Sequence, residues 1–468
     1  MTKNNKKLTG IAVALMMSSA SLALAQNIDN RTVIDQNGAE NDAVIDQIGF
    51  GNTAGTEALI LFQQGFYNRL TISQNGNSNA VGSVGSGLLQ RNDFGTADSF
   101  NSAMIRQEGN NNRVDEVVQR VLGPVPSFAN RLRVDQGGGD GNVIVRVDQN
   151  QQAGAPGQEV GVTMIGFGNR IEMIQQESAT DLLNEANDIF VLLEGDNNGT
   201  TALRGFAGFT GAVASTLIQR SGTEDTGANG NQINLEVLGN SNAFGVLQRG
   251  RINRTGPIVI TGDGNAIGIE QDGTENDIIL SLIEGNDNEI GLSQLGTNVA
   301  DLSLRGNSSD NQILIDQYGT NDGTIEAEGD RNIIVIMQGF DAGLGGTNTA
   351  KTQVIGDDNR FDVLQSGRNE ISMLVEGNGN NNTVAFSAPL AMAGLAEGSY
   401  VQQGFGNDAS VTITGDSNLS ALLQSGLNNS ILFVVQGSEN EAILRQIGNG
   451  NAAGLTQNGI ANVAVILQ

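Results

Sequence analysis

The chain has 468 residues and contains no cysteine, no histidine and no tryptophan. Without cysteine, no disulfide can staple an exported fold. Without histidine or cysteine, the Ser-His and Cys-His catalytic arrangements and ordinary zinc sites are ruled out. Aromatic residues make up only 4% of the chain. A globular chain of this length normally divides into domains with aromatic-rich cores. That supply is missing, so a core has to be assembled from many small, similar layers. Disorder would suit a glycine-rich acidic chain, but 38% of the residues are hydrophobic and they recur at regular intervals.

Lysine is nearly confined to the N-terminus. Lys3, Lys6 and Lys7 precede the apolar stretch Leu8 to Met17, and Ala23-Leu24-Ala25 is a small-x-small cleavage site. Residues 1–25 therefore read as a secretory signal peptide, with the mature chain starting at Gln26. The apolar run is too short and too diluted by serine and glycine to span a membrane. Loss of the three signal lysines takes the net charge from −27 to −30 and leaves Lys351 as the only lysine. Such a surface repels nucleic acid and anionic membranes, and it keeps a sticky chain soluble during export.

What is present is a repeat. Asn440, Asn451 and Asn462 stand 11 residues apart, and so do Ala442, Ala453 and Ala464. Leu444, Leu455 and Ile466 keep the same step, as do Gln446, Gln457 and Gln468, and Gly437, Gly448 and Gly459. Within each unit the Asn, Ala, Leu and Gln positions alternate with mixed residues. That is the strand period, so the four share one face. Gly followed by polar residues is a turn. Further copies include Asn41-x-Ala43-x-Ile45-x-Gln47, Asn265 to Gln271 and Asn288 to Gln294.

The units come in two kinds. In one, the last inward position is Gln; in the other it is apolar, as in Asn407 to Ile413 and Asn429 to Val435. The sequence thus predicts an all-β, cross-β fold. It is a β-solenoid with two strands per coil and about 22 residues per coil. Inward amides are costly to bury unpaired, at ~1–3 kcal/mol per group. Stacking each on its equivalent one coil away removes that cost. The residues expected to form these ladders, and to carry self-assembly, are Gln36, Asn41, Gln47, Asn52, Gln74, Asn79, Gln248, Gln271, Gln294, Gln424, Asn429, Asn440, Gln446, Asn451, Gln457, Asn462 and Gln468. The expected turn glycines are Gly38, Gly49, Gly76, Gly426, Gly437, Gly448 and Gly459.

The repeat region is expected to run over 26–468, with irregular loop insertions near 83–103, 121–160, 177–190, 205–230, 340–352 and 386–400. Pro124, Pro126, Pro156 and Pro389 fall in these stretches, and Pro257 sits near a strand start, where a missing donor does least harm.

The order Gln-x-Gly-x-x-Asn, found at Gln36, Gln47, Gln74, Gln424, Gln446 and Gln457, resembles the curlin repeat of bacterial curli fibre subunits. The resemblance covers most of 33–118 and 231–468 and is looser between them. It implies a structural subunit of an extracellular functional amyloid, a pilus-like cell-surface fibre of a Gram-negative bacterium. Such fibres serve biofilm matrix, surface adhesion and cell aggregation. The implied partners are further copies of the chain, a nucleating minor subunit and an outer-membrane export channel. This chain is several times longer than the familiar five-repeat subunits, has no evident secretion-targeting leader after the signal, and carries irregular insertions.

A solenoid without caps offers open strand edges at both ends. No cap is evident: the stretch Asn462 to Gln468 is in phase, apolar and free of proline, which favours head-to-tail growth. The alternative is a monomeric secreted β-solenoid acting as an adhesin or binding rod, but no array of one outward residue type is found. No cofactor or metal is expected, and no enzyme. Asp357-Asp358 lies in a turn, and the segments Gly262 to Asn265 and Gly137 to Asn142 bear only a faint likeness to calcium-binding β-rolls, whose nine-residue period differs from this 11-residue step.

Overall fold

An inward side-chain period of two, interrupted every 11 residues by glycine, leaves parallel stacking as the way to bury one face of every strand. The structure, a computed structural model, describes residues 29–468 except 98, 124–129, 153–156, 179–186, 222–229, 305–307, 340–346, 383–384 and 388–393. The expected signal peptide, Pro124, Pro126, Pro156 and Pro389 lie outside these residues. The described chain is all-β. Its regular elements are strands and a single 3-10 turn, Gly205–Phe209.

The chain forms two compact units. One comprises Met1–Ala202 with Ala214–Ile252, the other Leu203–Val213 with Asn253–Gln468. Both are built in the same way. Strands pair in parallel with their equivalents in the layers before and after; short strands skip the one between, whereas a strand that continues through a turn, such as Glu289–Leu304, pairs along both of its halves. In the second unit, Glu441–Asn449 pairs with Leu419–Leu427 on one side and Val463–Leu467 on the other. The intervening strand Ser430–Ser438 pairs with Ala452–Ile460. In the first unit, Arg69–Asn75 lies between Asp42–Ile48 and Ser102–Glu108. The strands thus form two alternating files.

Inward positions stay in register although the connecting lengths vary. Stacked glutamines are 22 residues apart at Gln424 and Gln446 and 27 apart at Gln36 and Gln63. They are 33 apart at Gln74 and Gln107 and 43 apart at Gln176 and Gln219. Extra residues are accommodated between strands, where lengthening a loop costs little.

The interruptions are consequently narrower than their spacing predicts. The span 121–160, expected as a loop insertion, carries Arg131–Gln136 and Val143–Gln151, each paired on both sides. Leu88–Asn92, Asp188–Glu194, Thr216–Ser221 and Thr347–Gln353 likewise occupy stretches expected as insertions. Pro257 lies inside the strand Arg254–Thr261 rather than at its start, and pairing lapses there between Arg254 and Ile258.

The core is thin. Ile431, Phe433 and Val435 of one file and Ala442 and Leu444 of the other are all buried. Two or three such apolar residues per strand, flanked by buried Asn and Gln, take the place of an aromatic core. Turn glycines let the layers approach. Gly426 has φ +126°, and a Cβ there would stand 1.8 Å from the Gly448 carbonyl oxygen. Gly426→Ala is expected to destabilise the fold by at least ~1–3 kcal/mol, the cost of a strained backbone alone. Gly454→Ala, whose added Cβ meets nothing within 4 Å, should leave it unchanged. Urea unfolding of the two variants side by side checks this; equal midpoints would refute the close approach.

Candidate functional site: amide ladders and sheet edges

The strands of one file carry Gln at the last inward position throughout. In the first unit Gln36, Gln63, Gln90, Gln119, Gln149, Gln176, Gln219 and Gln248 form an unbroken series, each Nε2 donating to the next Oε1 at 2.6–3.1 Å. In the second unit the series runs Gln271, Gln294, Gln317, Gln338, Gln365, Gln402, Gln424, Gln446, Gln468 at 2.7–3.1 Å. The second amide hydrogen goes to a backbone carbonyl, as from Gln424 to Asp408 at 2.8 Å. Interior glutamines such as Gln424 therefore use both amide hydrogens and the carbonyl oxygen while being inaccessible to water.

The other file is mixed. It opens with Gln47, Gln74, Gln107 and Gln136, bonded in series at 2.7–2.8 Å. It then turns apolar with Met164, Leu193 and Val237. In the second unit it holds Ile413 and Val435 and closes with Gln457. Gln457 thus stands on Val435 rather than on Gln446. Its Oε1 has no partner, and its Nε2 reaches the Glu441 carbonyl at 3.2 Å.

Asparagines begin most strands and form a second set of ladders. Asn41 accepts from Asn68 at 2.9–3.0 Å, and Asn52 from the Asn79 N–H at 3.0 Å. In the second unit Asn407, Asn429 and Asn451 are linked through Oδ1, as are Asn418, Asn440 and Asn462. Their Nδ2 groups tie down turn carbonyls, as from Asn440 to Gly459 at 3.1 Å. The seven glycines named as turns, from Gly38 to Gly459, all have positive φ.

Sequence reading missed Gln63, Gln90, Gln119, Gln149, Gln176, Gln219, Gln317, Gln338, Gln365 and Gln402 of the Gln file, and Gln107 and Gln136 of the mixed file. Inserted residues separate these from the preceding Asn or break the 11-residue step. A Gln-x-Gly signal survives at Gln63, Gln107, Gln317, Gln365 and Gln402 and would have found them.

The acidic turns have a structural use. Asp357 Oδ1 accepts the Asp330 N–H at 2.8 Å, and Asp330 Oδ1 accepts the Ser309 N–H at 2.8 Å. Asp358 is held by Arg331 at 2.7 and 2.8 Å, and this guanidinium keeps its carboxyl below the usual range. The Asp263 N–H donates to Asn286 at 2.8 Å. Among the described residues, no three or more His, Cys, Asp or Glu are grouped to hold a metal ion.

At the outermost layers the inward residues lose their cover. In the first unit Ala43, Ile45 and Gln47, and in the second Ala453, Leu455, Ala464 and Ile466, are half-exposed. Leu70 and Ile72, or Ala442 and Leu444, one layer in, are inaccessible. No protein-family model matches the chain, and a search of characterised proteins finds no relative.

Two substitutions test the site. Gln294→Leu removes the partner of both Gln271 Nε2 and Gln317 Oε1 and is expected to cost ~2–6 kcal/mol, from two stranded groups; an unchanged urea midpoint would refute the ladder. Asp316 is a buried carboxylate with an unpartnered oxygen. Burial pushes its pKa up, against a hydrogen bond with Ser293, and Glu270 adds repulsion. A raised folded-state pKa gives stability below the ordinary carboxylate range that is lost as pH rises. Asp316→Asn should therefore raise the melting temperature at pH 7, with the gain shrinking toward pH 3.

Proposed function

We propose that each unit is a β-solenoid of two strands per coil, about 22 residues long where nothing is inserted. We propose further that the chain polymerises head to tail into an extracellular amyloid-type fibre. Its role is that of a structural subunit, serving biofilm matrix, surface adhesion and cell aggregation. The carrying observation is that the strands of each unit stack in parallel and in register with amide ladders continuous from layer to layer, a pattern that a further copy of the chain can extend.

The magnitudes favour association. Two strand edges docking together make about ten backbone bonds at a net ~0.5–1.5 kcal/mol each. That range is comparable to the ~4–15 kcal/mol cost of association. Burial of Ile45, Leu455 and Ile466, with the alanines beside them, adds ~25 cal/mol per Å² of apolar surface and tips the balance toward growth. Sideways aggregation is opposed by the acidic surface, whose formal net charge is −27 for the whole chain.

Secretion fits the N-terminal signal and the absence of cysteine, and the curlin-like repeat accounts for the remaining parts of the reading. These are a Gram-negative cell surface, an outer-membrane channel for export and a minor subunit for nucleation. Neither nucleic acid nor a cofactor enters this reading.

Chain lacking residues 1–25, diluted from denaturant, is expected to form unbranched fibres with a meridional reflection at ~4.8 Å and a lag shortened by preformed seeds. A stable monomer at every concentration would overturn the proposal and favour a secreted binding rod.

A further inference from the structure

One buried charge on the second unit has surroundings that do not suit it. Glu270, Ser293 and Asp316 are register partners on three successive strands, Ala266–Thr274, Glu289–Leu304 and Gln312–Ala327. Each alternates with an inward glutamine or apolar residue, so the three form one outward column. The column continues through Met337, Leu364, Val401 and Leu423, all apolar. Asp316 is only 3% exposed, and its Oδ1 has no hydrogen-bond partner. A buried carboxylate oxygen without a donor is among the costlier defects a fold can carry. Burial and Glu270 both oppose ionisation of Asp316, and Ser293 favours it; none of these is a base.

The segment Leu203–Val213, which belongs to the second unit, is seated on the same face. Its Gly211 N–H donates to Glu270 Oε2 at 2.8 Å. A Cβ at Gly211 would stand 2.4 Å from that oxygen and 2.7 Å from Oε1, so the backbone rests directly on the carboxylate. Cβ atoms at Gly268 and Gly291 would stand 2.1 and 2.2 Å from the Ala207 and Phe206 carbonyl oxygens. The one base of the segment, Arg204, is engaged by Asp287 and Glu289. Two carboxylates with a hydroxyl between them therefore lie beside a tightly seated strap, and one carboxylate oxygen lacks a partner.

The spacing suits a cation. Successive strands are ~4.8 Å apart, which puts the Glu270 and Asp316 backbones about 10 Å apart. Side chains leaning from both toward Ser293 close that distance to about 5 Å between carboxylate oxygens, the span of two calcium–oxygen bonds of ~2.3–2.6 Å. Carboxylates, a hydroxyl and water make an irregular oxygen set, which calcium tolerates and magnesium does not. Two acidic ligands are few, so the affinity belongs with the weak extracellular sites, at a Kd of about 10⁻⁴–10⁻³ M.

We propose that Glu270 and Asp316, with the Ser293 hydroxyl between them, bind one calcium-sized divalent cation beside the segment Leu203–Val213. The cation supplies the partner that Asp316 Oδ1 lacks. Through Glu270, which Gly211 holds, it also clamps the segment to the sheet. The site is separate from the amide ladders and does not depend on polymerisation.

The chain has three tyrosines and no tryptophan. Tyr318 stands two residues from Asp316 on the same face and feels its charge. Terbium, a luminescent ion of calcium's size, is therefore excited through tyrosine when it occupies this site. In chain lacking residues 1–25, at about 0.15 M salt to screen loose binding, that luminescence is expected to saturate. Millimolar calcium should displace it, and equal magnesium should not. Asp316→Asn and Tyr318→Phe should each lower the signal about tenfold, while Tyr67→Phe leaves it unchanged. Asp316→Asn should keep the parent's circular dichroism, and Ser293→Ala, a milder change, should weaken terbium binding several-fold. Melting gives a second readout. Calcium should raise the parent's melting temperature more than that of Asp316→Asn, and chelator should restore the advantage of the variant. Absence of a saturable signal, a signal that Asp316→Asn retains, or equal calcium shifts for parent and variant would overturn the site; the last result means adventitious binding to the acidic surface only.

Discussion

A buried amide has two donors and an acceptor to satisfy, and inside a thin, dry core only another amide at the same height can satisfy them repeatedly. The rest of this structure follows from that constraint. Gln Nε2 has to meet Gln Oε1 about one strand spacing away, which requires parallel strands in register. Register in turn fixes which apolar residues stack, as Leu422 on Leu444 and Phe433 on Leu455. A slip of one residue would send every inward amide to the surface and every acidic outward residue into the core. The ladders are worth more as a specification of register than as a sum of bond energies.

The same constraint explains how the fold absorbs irregular connections. The separation of stacked glutamines ranges from 21 to 43 residues without displacing a strand. Closing a longer loop adds only a logarithmic entropy cost, whereas misplacing one amide strands its neighbours on both sides. One insertion is itself put to use. The turn Gly205–Phe209 lies on the outward side of Glu289–Leu304 and Ala266–Thr274, where Gly268 and Gly291 leave room for its backbone. Arg204 fastens it to Asp287 at 3.0 Å and Glu289 at 3.2 Å.

These features were unequally legible in the sequence. The 11-residue step over 437–468 and the Asn288 to Gln294 unit display the strand period and turn directly, because nothing is inserted there. The strands of 121–160 were not legible, because added residues part each Asn from the next and mask a register that exists only in space. Gln457 looked like one more rung of a single glutamine series. Only the pairing of alternate strands places it on Val435. The contact of Arg204 with Asp287, 83 residues away, left no periodic trace. The chemistry of a single stack repeats, and repetition can be read; the chemistry of an insertion happens once.

The central claim is that buried side-chain amides are locked between layers as firmly as backbone amides. Hydrogen exchange at the Gln Nε2 groups measures this directly in the assembled, selectively glutamine-labelled chain. The account predicts that Gln294, Gln317 and Gln338 exchange as slowly as the backbone N–H groups of their own strands, while Gln403, on the outward face, exchanges at the rate of a free amide. Fast exchange at Gln294, Gln317 and Gln338 would contradict it.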